Sequence, residues 1–146
     1  VMADGTDIEA RSHMMSAAAM GATAFQKGLG AVHAMAHPVG ALYNTPHGMT
    51  NAIILPTVLC FNRPAIEERI AAAAAYLGID GGFDGFFDKI MALSAEVGVP
   101  QKLRDLGVAD DRIDTLAAMA VEDPSAGGNP VELTLEAAQR LYREAI

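Results

Sequence analysis

The sequence is 146 residues long, the length of one domain, and 51% of its residues are hydrophobic against 19% that are charged. This composition excludes a disordered chain, because there is enough apolar surface to offset the conformational entropy that folding removes. Eighteen acidic and ten basic side chains give a formal net charge of −8, with no Lys or Arg cluster to override it, so nucleic-acid binding is excluded as a leading function.

Helical spacing of apolar residues dominates the first half of the chain. It predicts four helices, over residues 8–25, 30–43, 45–61 and 64–77. Thr45 is expected to cap the third helix, with Pro46 as its first residue. Pro38 is expected either to start a new turn of its helix or to kink it, and Pro56 is expected to bend the helix that contains it. Pro64 is expected to begin a separate fourth helix, because proline is favoured at the first helical position.

The second half continues the same pattern. It predicts helices over residues 83–97, 113–121 and 134–146, a short turn at 103–106 and a loop at 124–130. Thr134 is expected to cap the last helix, and the methionines, including Met14, Met15, Met20 and Met35, are expected to fill gaps in the core. The predicted fold class is therefore all-α, a bundle of about six to eight helices that forms a single domain over residues 1–146.

The sequence predicts no membrane span and no disulfide. The longest apolar stretch, residues 52–61, is too short to cross a bilayer and contains a proline. Cys60 is the single cysteine, and we interpret it as a small buried hydrophobic residue. Because no secretory leader is recognisable, a reduced cytoplasmic protein without a membrane partner is expected.

Three of the four histidines lie close together in the segment GLGAVHAMAHPVGALYNTPHGMTNAIILP, residues 28–56. His33 and His37 are four residues apart and share one face of a predicted helix. His47 follows at the start of the next predicted helix, so the three rings can form one wall of a metal site. From spacing alone, however, hydrogen-bonded or surface histidines are the more frequent outcome, and the segment offers no carboxylate at an obvious ligand spacing.

A second pair, Glu9 and His13, is also four residues apart on a predicted helix. Beside Arg11, this pair is expected to be a solvated helix face and not a ligand pair. The serines lack the sequence context of a nucleophile elbow, so a hydrolytic triad has no support.

The histidine segment resembles the signature of the iron-dependent (group III) alcohol dehydrogenases. The resemblance covers the histidine spacings of four and ten, the Pro-His-Gly at residues 46–48 and the Asn-Ala-Ile-Ile-Leu-Pro that follows at residues 51–56. Residues 7–14 (DIEARSHM), Asp123-Pro124 and Gly128-Asn129-Pro130 extend it over essentially the whole chain. It implies the second half of the helical C-terminal domain of that family.

The resemblance also implies site residues and cofactors. It assigns His33 and His47 as ligands of Fe²⁺, Zn²⁺ or another divalent metal, and His37 as a catalytic residue that lines the substrate and nicotinamide cleft. It implies that an upstream Asp and His complete the ligand set, and that a small alcohol or aldehyde exchanges a hydride with NAD(P) while the metal polarises the substrate oxygen. No residue of this chain is expected to bind NAD(P), because that site belongs to an N-terminal domain without a counterpart here.

The chain begins with Val1, and we expect it to be a piece of a longer enzyme and inactive in isolation. A competing hypothesis is a catalytically dead helical module for assembly or folding, whose exposed apolar surface would allow homo-oligomers to form. A metal sensor or storage bundle ranks last, because it needs further carboxylate ligands.

Overall fold

The computed structural model describes residues 1–146 and consists of six α-helices without a β-strand. The all-α prediction is therefore confirmed. The helices are α1 (Ile8–Ala24), α2 (Ala31–Tyr43), α3 (His47–Tyr76), α4 (Gly82–Glu96), α5 (Ile113–Glu122) and α6 (Leu135–Ala145). Short 3-10 turns lie between several of them, including one at Leu103–Leu106, where a turn was predicted.

Helix α2 forms the centre of the core. It packs between α3 and α5, and α5 packs in turn against α6. Small side chains on α2 let these neighbours approach closely, and larger side chains from α5 and α6 fill the remaining space. Leu116, Leu141 and Tyr142 are almost completely buried. The Tyr142 hydroxyl donates a 2.7 Å hydrogen bond to the Met35 carbonyl oxygen, which ties α6 to α2.

The prediction of separate helices on either side of Pro64 is wrong. α3 is one continuous helix of 30 residues with Pro56 and Pro64 inside it. An internal proline costs a helix about 3 kcal/mol, partly through a lost hydrogen bond. Here α3 packs against both α2 and α4, and this packing offsets the cost. Asn62, two residues before Pro64, turns its side chain to Asn129 and caps no helix.

Of the two predicted N-cap residues, Thr134 is confirmed and Thr45 is wrong. The Thr134 side chain accepts a hydrogen bond from the Ala137 N–H and caps α6 as expected. Thr45 does not cap α3, because Pro46 has an extended backbone and is itself the N-cap residue, so that the helix begins at His47. The Thr45 hydroxyl instead accepts a hydrogen bond from Thr50, one turn into the helix.

Helix α1 lies outside the core. None of its residues is buried, and within this chain its main contact is with the short turn that follows it. The expectation that the methionines fill the core is wrong for Met14, Met15 and Met20, which are all exposed, whereas Met35 is buried. Cys60 is exposed as well, which corrects the prediction that it is buried. No helix combines the length and the apolar character that crossing a membrane requires.

Candidate metal centre

The three predicted site histidines come together in the structure. His33 lies in the first turn of α2, His37 one turn further along, and His47 at the first position of α3. The distances between ring centroids are 5.2 Å for His33 and His47, 5.8 Å for His33 and His37, and 5.6 Å for His37 and His47. Because α3 runs back along α2, His47 lies beside the α2 face that His33 and His37 share, although 14 positions separate it from His33 in the sequence.

The side chain of Asn51 joins two of these rings. Its Nδ2 donates hydrogen bonds to His47 Nε2 at 3.0 Å and to His33 Nε2 at 3.3 Å. Asn51 lies one turn after His47 on α3, so its amide is placed beside the His47 ring and meets His33 across the helix interface. Its Oδ1 is buried and has no hydrogen-bond partner. The Nε2 lone pairs of both histidines thus point at one place.

The environment of His33 favours its neutral form. Partial burial lowers the pKa of His33, the nearby His47 and His37 lower it further, and Asp123 opposes the shift. The edge of the Phe25 ring also lies against His33, with 5.5 Å between the ring centroids. An imidazole must be unprotonated to bind a metal, so this surrounding suits a ligand.

His37 has a different partner. Its Nδ1–H donates a 2.8 Å hydrogen bond to Asp123 Oδ2, and the Asp123 side chain is 14% exposed. Burial raises the pKa of the Asp123 carboxyl, but hydrogen bonds from the Ser125 N–H and from His37 outweigh it and hold that pKa below its usual range. His37 is therefore oriented by a carboxylate, and its Nε2 remains for another contact.

The loop that follows α5 is fixed to α2 at a second point. Asn129 Oδ1 accepts hydrogen bonds from the Ala31 N–H at 3.0 Å and from Asn62 Nδ2 at 2.9 Å, and Asn129 Nδ2 donates to Asn62 Oδ1 at 2.7 Å. Asn129 thus provides the acceptor for the Ala31 N–H, which lies in the first turn of α2 and has no partner within the helix. Next to it, a Cβ on Gly128 would lie 2.0 Å from the Leu29 carbonyl oxygen, so only glycine fits.

An apolar cavity of about 480 Å³ lies beside His33 and Asn51. Its wall includes Phe25, Leu29 and Leu55. The cavity separates the turn after α1 from α3, which gives the histidine cluster an apolar flank.

The donor set fits part of a metal site. Two converging imidazole nitrogens are suitable ligands for a divalent transition metal, which commonly takes four or more. No group of three or more His, Cys, Asp or Glu side chains in the chain is arranged to hold a metal by itself. The chain therefore offers two converging imidazole nitrogens with the Asn51 amide between them, which is fewer than the four donors such a metal commonly takes.

Glu9 and His13 take no part in this cluster. Their side chains are 89% and 79% exposed, with 3.9 Å between His13 Nε2 and Glu9 Oε1. The interpretation as a solvated helix face is confirmed.

The sequence model for the C-terminal part of the Fe-containing alcohol dehydrogenase family matches residues 1–146. The chain belongs to this family. Lactaldehyde reductase of Escherichia coli K12 is 42% identical over 125 residues, which are 81% of this chain and 33% of the reductase. The chain therefore spans about a third of the length of that relative.

Solved structures of the family share the fold. An alcohol dehydrogenase from Oenococcus oeni, 33% identical, superposes with a TM-score of 0.91 over 99% of this chain and 40% of that one. A sulfoacetaldehyde reductase from Bifidobacterium kashiwanohense, solved in complex with NAD⁺, is 25% identical with a TM-score of 0.69 over 80% of this chain and 30% of that one. The relatives are alcohol and aldehyde oxidoreductases, and this chain is the C-terminal helical part of that family.

Sequence reasoning assigned no role to Asn51, Asp123 or Asn129. Asn51 carries a signal in hindsight, because its spacing of four from His47 places both on one face of a helix. Asp123 and Asn129 lie 86 and 98 residues from the partners they bind in α2, and no local pattern connects such distant positions.

Proposed function

We propose that this chain is the metal-binding part of an iron-dependent alcohol dehydrogenase, which interconverts an alcohol and its aldehyde or ketone with NAD(P) as the hydride carrier. In this proposal, His33 and His47 are the metal ligands that the chain supplies, and His37 is a catalytic residue that contacts the substrate. The observation that carries it is the convergence of His33 Nε2 and His47 Nε2 on one point. Iron is the proposed ion, with zinc or another divalent metal as the alternative.

A divalent metal bound at this point would act as a Lewis acid on the substrate oxygen. The role proposed for this chain is to present two imidazoles, one from α2 and one from α3, at a single point. The lowered pKa of His33 supports this role, because it keeps the Nε2 lone pair free near neutral pH. Asn129 supports it indirectly, since its hydrogen bond to the Ala31 N–H fixes the turn of α2 that carries His33.

His37 is proposed to bind and orient the substrate. Its Nδ1–H is held by Asp123, so Nε2 is the ring nitrogen that can accept a proton from, or share one with, a substrate hydroxyl. A carboxylate behind an imidazole fixes the ring orientation and the tautomer, which is a common arrangement in proton transfer. The side chain of His37 is 41% exposed, as a group that meets a small substrate requires.

The proposal places the remaining ligands and the NAD(P) site in an upstream part of a longer protein. Helix α1 supports this placement, because its residues from Met14 to Ala24 are mostly apolar and yet none of them is buried in this chain. We infer that the upstream part covers α1 and that the 146-residue chain alone has no NAD(P)-dependent activity.

The proposal can be tested in a chimera. The 146 residues replace the corresponding C-terminal part of Escherichia coli lactaldehyde reductase, and metal content and turnover are measured on the purified protein. His47→Ala is expected to lose both together, because one of two ligands from this chain is gone. His13→Ala, on the exposed face of α1, is the matched control and is expected to retain both. Metal and turnover that survive in the His47→Ala chimera would refute the proposal.

A helical assembly module is the alternative that one observation favours. Ile8, Met15 and Met20 on α1 are each more than 70% exposed, and such a surface can drive association between copies. This alternative predicts a discrete oligomer of the 146-residue chain that Met15→Asp dissociates and that metal does not affect. Light scattering that finds a monomer of the unmodified chain would exclude it.

A further inference from the structure

We propose that Asn51 is a positioning residue for the metal ligands: its side-chain amide holds the Nε2 atoms of His33 and His47 before metal binds, and an incoming cation displaces it. This inference rests on the proposed function, in which these two histidines are ligands. It concerns how the chain prepares its part of the site in the absence of the metal.

The geometry assigns one amide proton to each ring. Nδ2 carries two protons, and its two acceptors are His47 Nε2 at 3.0 Å and His33 Nε2 at 3.3 Å. An imidazole nitrogen accepts a hydrogen bond only through an unprotonated lone pair, so both rings carry their proton on Nδ1. This is the tautomer in which Nε2 can bind a metal.

The amide and a metal compete for the same lone pairs. A zinc-like cation binds imidazole nitrogen at about 2.0–2.1 Å, along the direction in which Nδ2 now lies. Each lone pair can serve one partner only, so Asn51 has to turn away when the cation enters. The buried Oδ1 has no partner in the present arrangement, so the side chain gives up no hydrogen bond from that oxygen by turning.

The first experiment needs no metal. Long-range proton–nitrogen NMR spectra of the 146-residue chain are expected to find His33 and His47 in the Nδ1-protonated tautomer. Asn51→Leu, which keeps the size of the side chain but has no donor, is expected to return both rings to a mixture of tautomers. Nε2-protonated rings in the unmodified chain would overturn the proposal.

The second experiment follows the displacement. Addition of Zn²⁺ is expected to shift the Asn51 side-chain amide signals in step with those of His33 and His47, while the amide of the exposed Asn44 stays unchanged. If the histidine signals shift and the Asn51 amide does not, the proposal for Asn51 fails although the proposed function stands. If His33 and His47 signals do not respond to Zn²⁺ at all, the displacement and the assigned ligands fail together.

A charge-matched pair of variants tests the position of the amide. Asn51→Asp puts a carboxylate oxygen between the two imidazoles, so Zn²⁺ affinity measured by calorimetry is expected to rise by about tenfold or more. Asn44→Asp adds the same charge in the loop before α3 and is expected to change the affinity much less. Equal effects of the two variants would overturn the proposed placement of Asn51 between the ligands.

Discussion

Helices α1 and α2 have similar compositions and opposite environments. Both are rich in alanine, and both contain methionine, three in α1 and one in α2. α2 buries six residues among α3, α5 and α6, whereas α1 buries none. The apolar side chains of α2 find their partners within these 146 residues, and those of α1 do not. An apolar composition therefore indicates that a helix packs against other segments, but it does not show which segments those are.

The largest expected effect comes from truncating one side chain in each environment. Leu116→Ala, in the core against α2, is expected to lower the free energy of unfolding by about 2 to 5 kcal/mol, because it removes buried contacts and leaves a cavity. Met15→Ala, on α1, is expected to change it by less than about 0.5 kcal/mol. Urea unfolding of the 146-residue chain measures both. A loss for Met15→Ala as large as for Leu116→Ala would show that α1 is packed in solution.

Asn129 tests the link between the loop after α5 and α2. Asn129→Ala removes the acceptor of the Ala31 N–H and leaves the Asn62 amide without its partner. Unsatisfied groups of this kind cost about 1 to 3 kcal/mol each, so a loss of about 2 kcal/mol in the free energy of unfolding is expected. Gln101→Ala, at an exposed position, is the control. An unchanged stability in Asn129→Ala would mean that α2 holds its position without this clamp.

The Tyr142 hydroxyl is expected to contribute less to the free energy of unfolding than the Asn129 side chain does. Tyr142→Phe leaves the Met35 carbonyl without its 2.7 Å hydrogen bond and is expected to cost about 1 kcal/mol. Tyr76→Phe removes a hydroxyl from a side chain that is 91% exposed and should have no measurable effect. Thermal and urea unfolding of the two variants give the comparison, and equal stabilities would contradict it.

The smallest effect is the pH dependence from Asp123. Its pKa in the folded chain lies below the ordinary value of 3.8, so its contribution to stability is fully present above 3.8 and is lost as the pH falls through the folded-state pKa. Asp123→Asn should therefore flatten the fall in stability between about pH 4 and pH 2. The matched variant Asp88→Asn, at an exposed position on α4, should leave that part of the curve unchanged. A steeper fall in Asp123→Asn would contradict the assigned direction.

Local patterns predicted those features that depend on neighbouring residues. The bounds of α1 and α2 and the cap at Thr134 follow from apolar spacing and capping side chains, and the four-residue spacing of His33 and His37 follows from one helical turn. Pro64 misled the prediction, because the packing of α3 between α2 and α4 outweighs the local preference of proline for a helix start.

Features that depend on packing between helices were not predictable from one sequence. The exposure of Met14, Met15 and Met20 depends on which segments surround α1. The bridge from Asn51 to His33 depends on how α3 crosses α2, and the Asp123 partner of His37 comes from a loop 86 residues away. The family resemblance includes Asn51 and Asp123 among its matching residues, but it assigned roles only to the histidines and not to the side chains that orient them.

The central claim is that His33 and His47 together bind one metal ion and His37 does not. A crystal structure of the lactaldehyde reductase chimera, with anomalous scattering recorded at the absorption edge of the bound metal, tests it most directly. The account predicts one anomalous peak about 2.0–2.2 Å from the Nε2 atoms of His33 and His47, with His37 Nδ1 still bonded to Asp123. A peak bonded to His37, or one that contacts only one of the two proposed ligands, would contradict it.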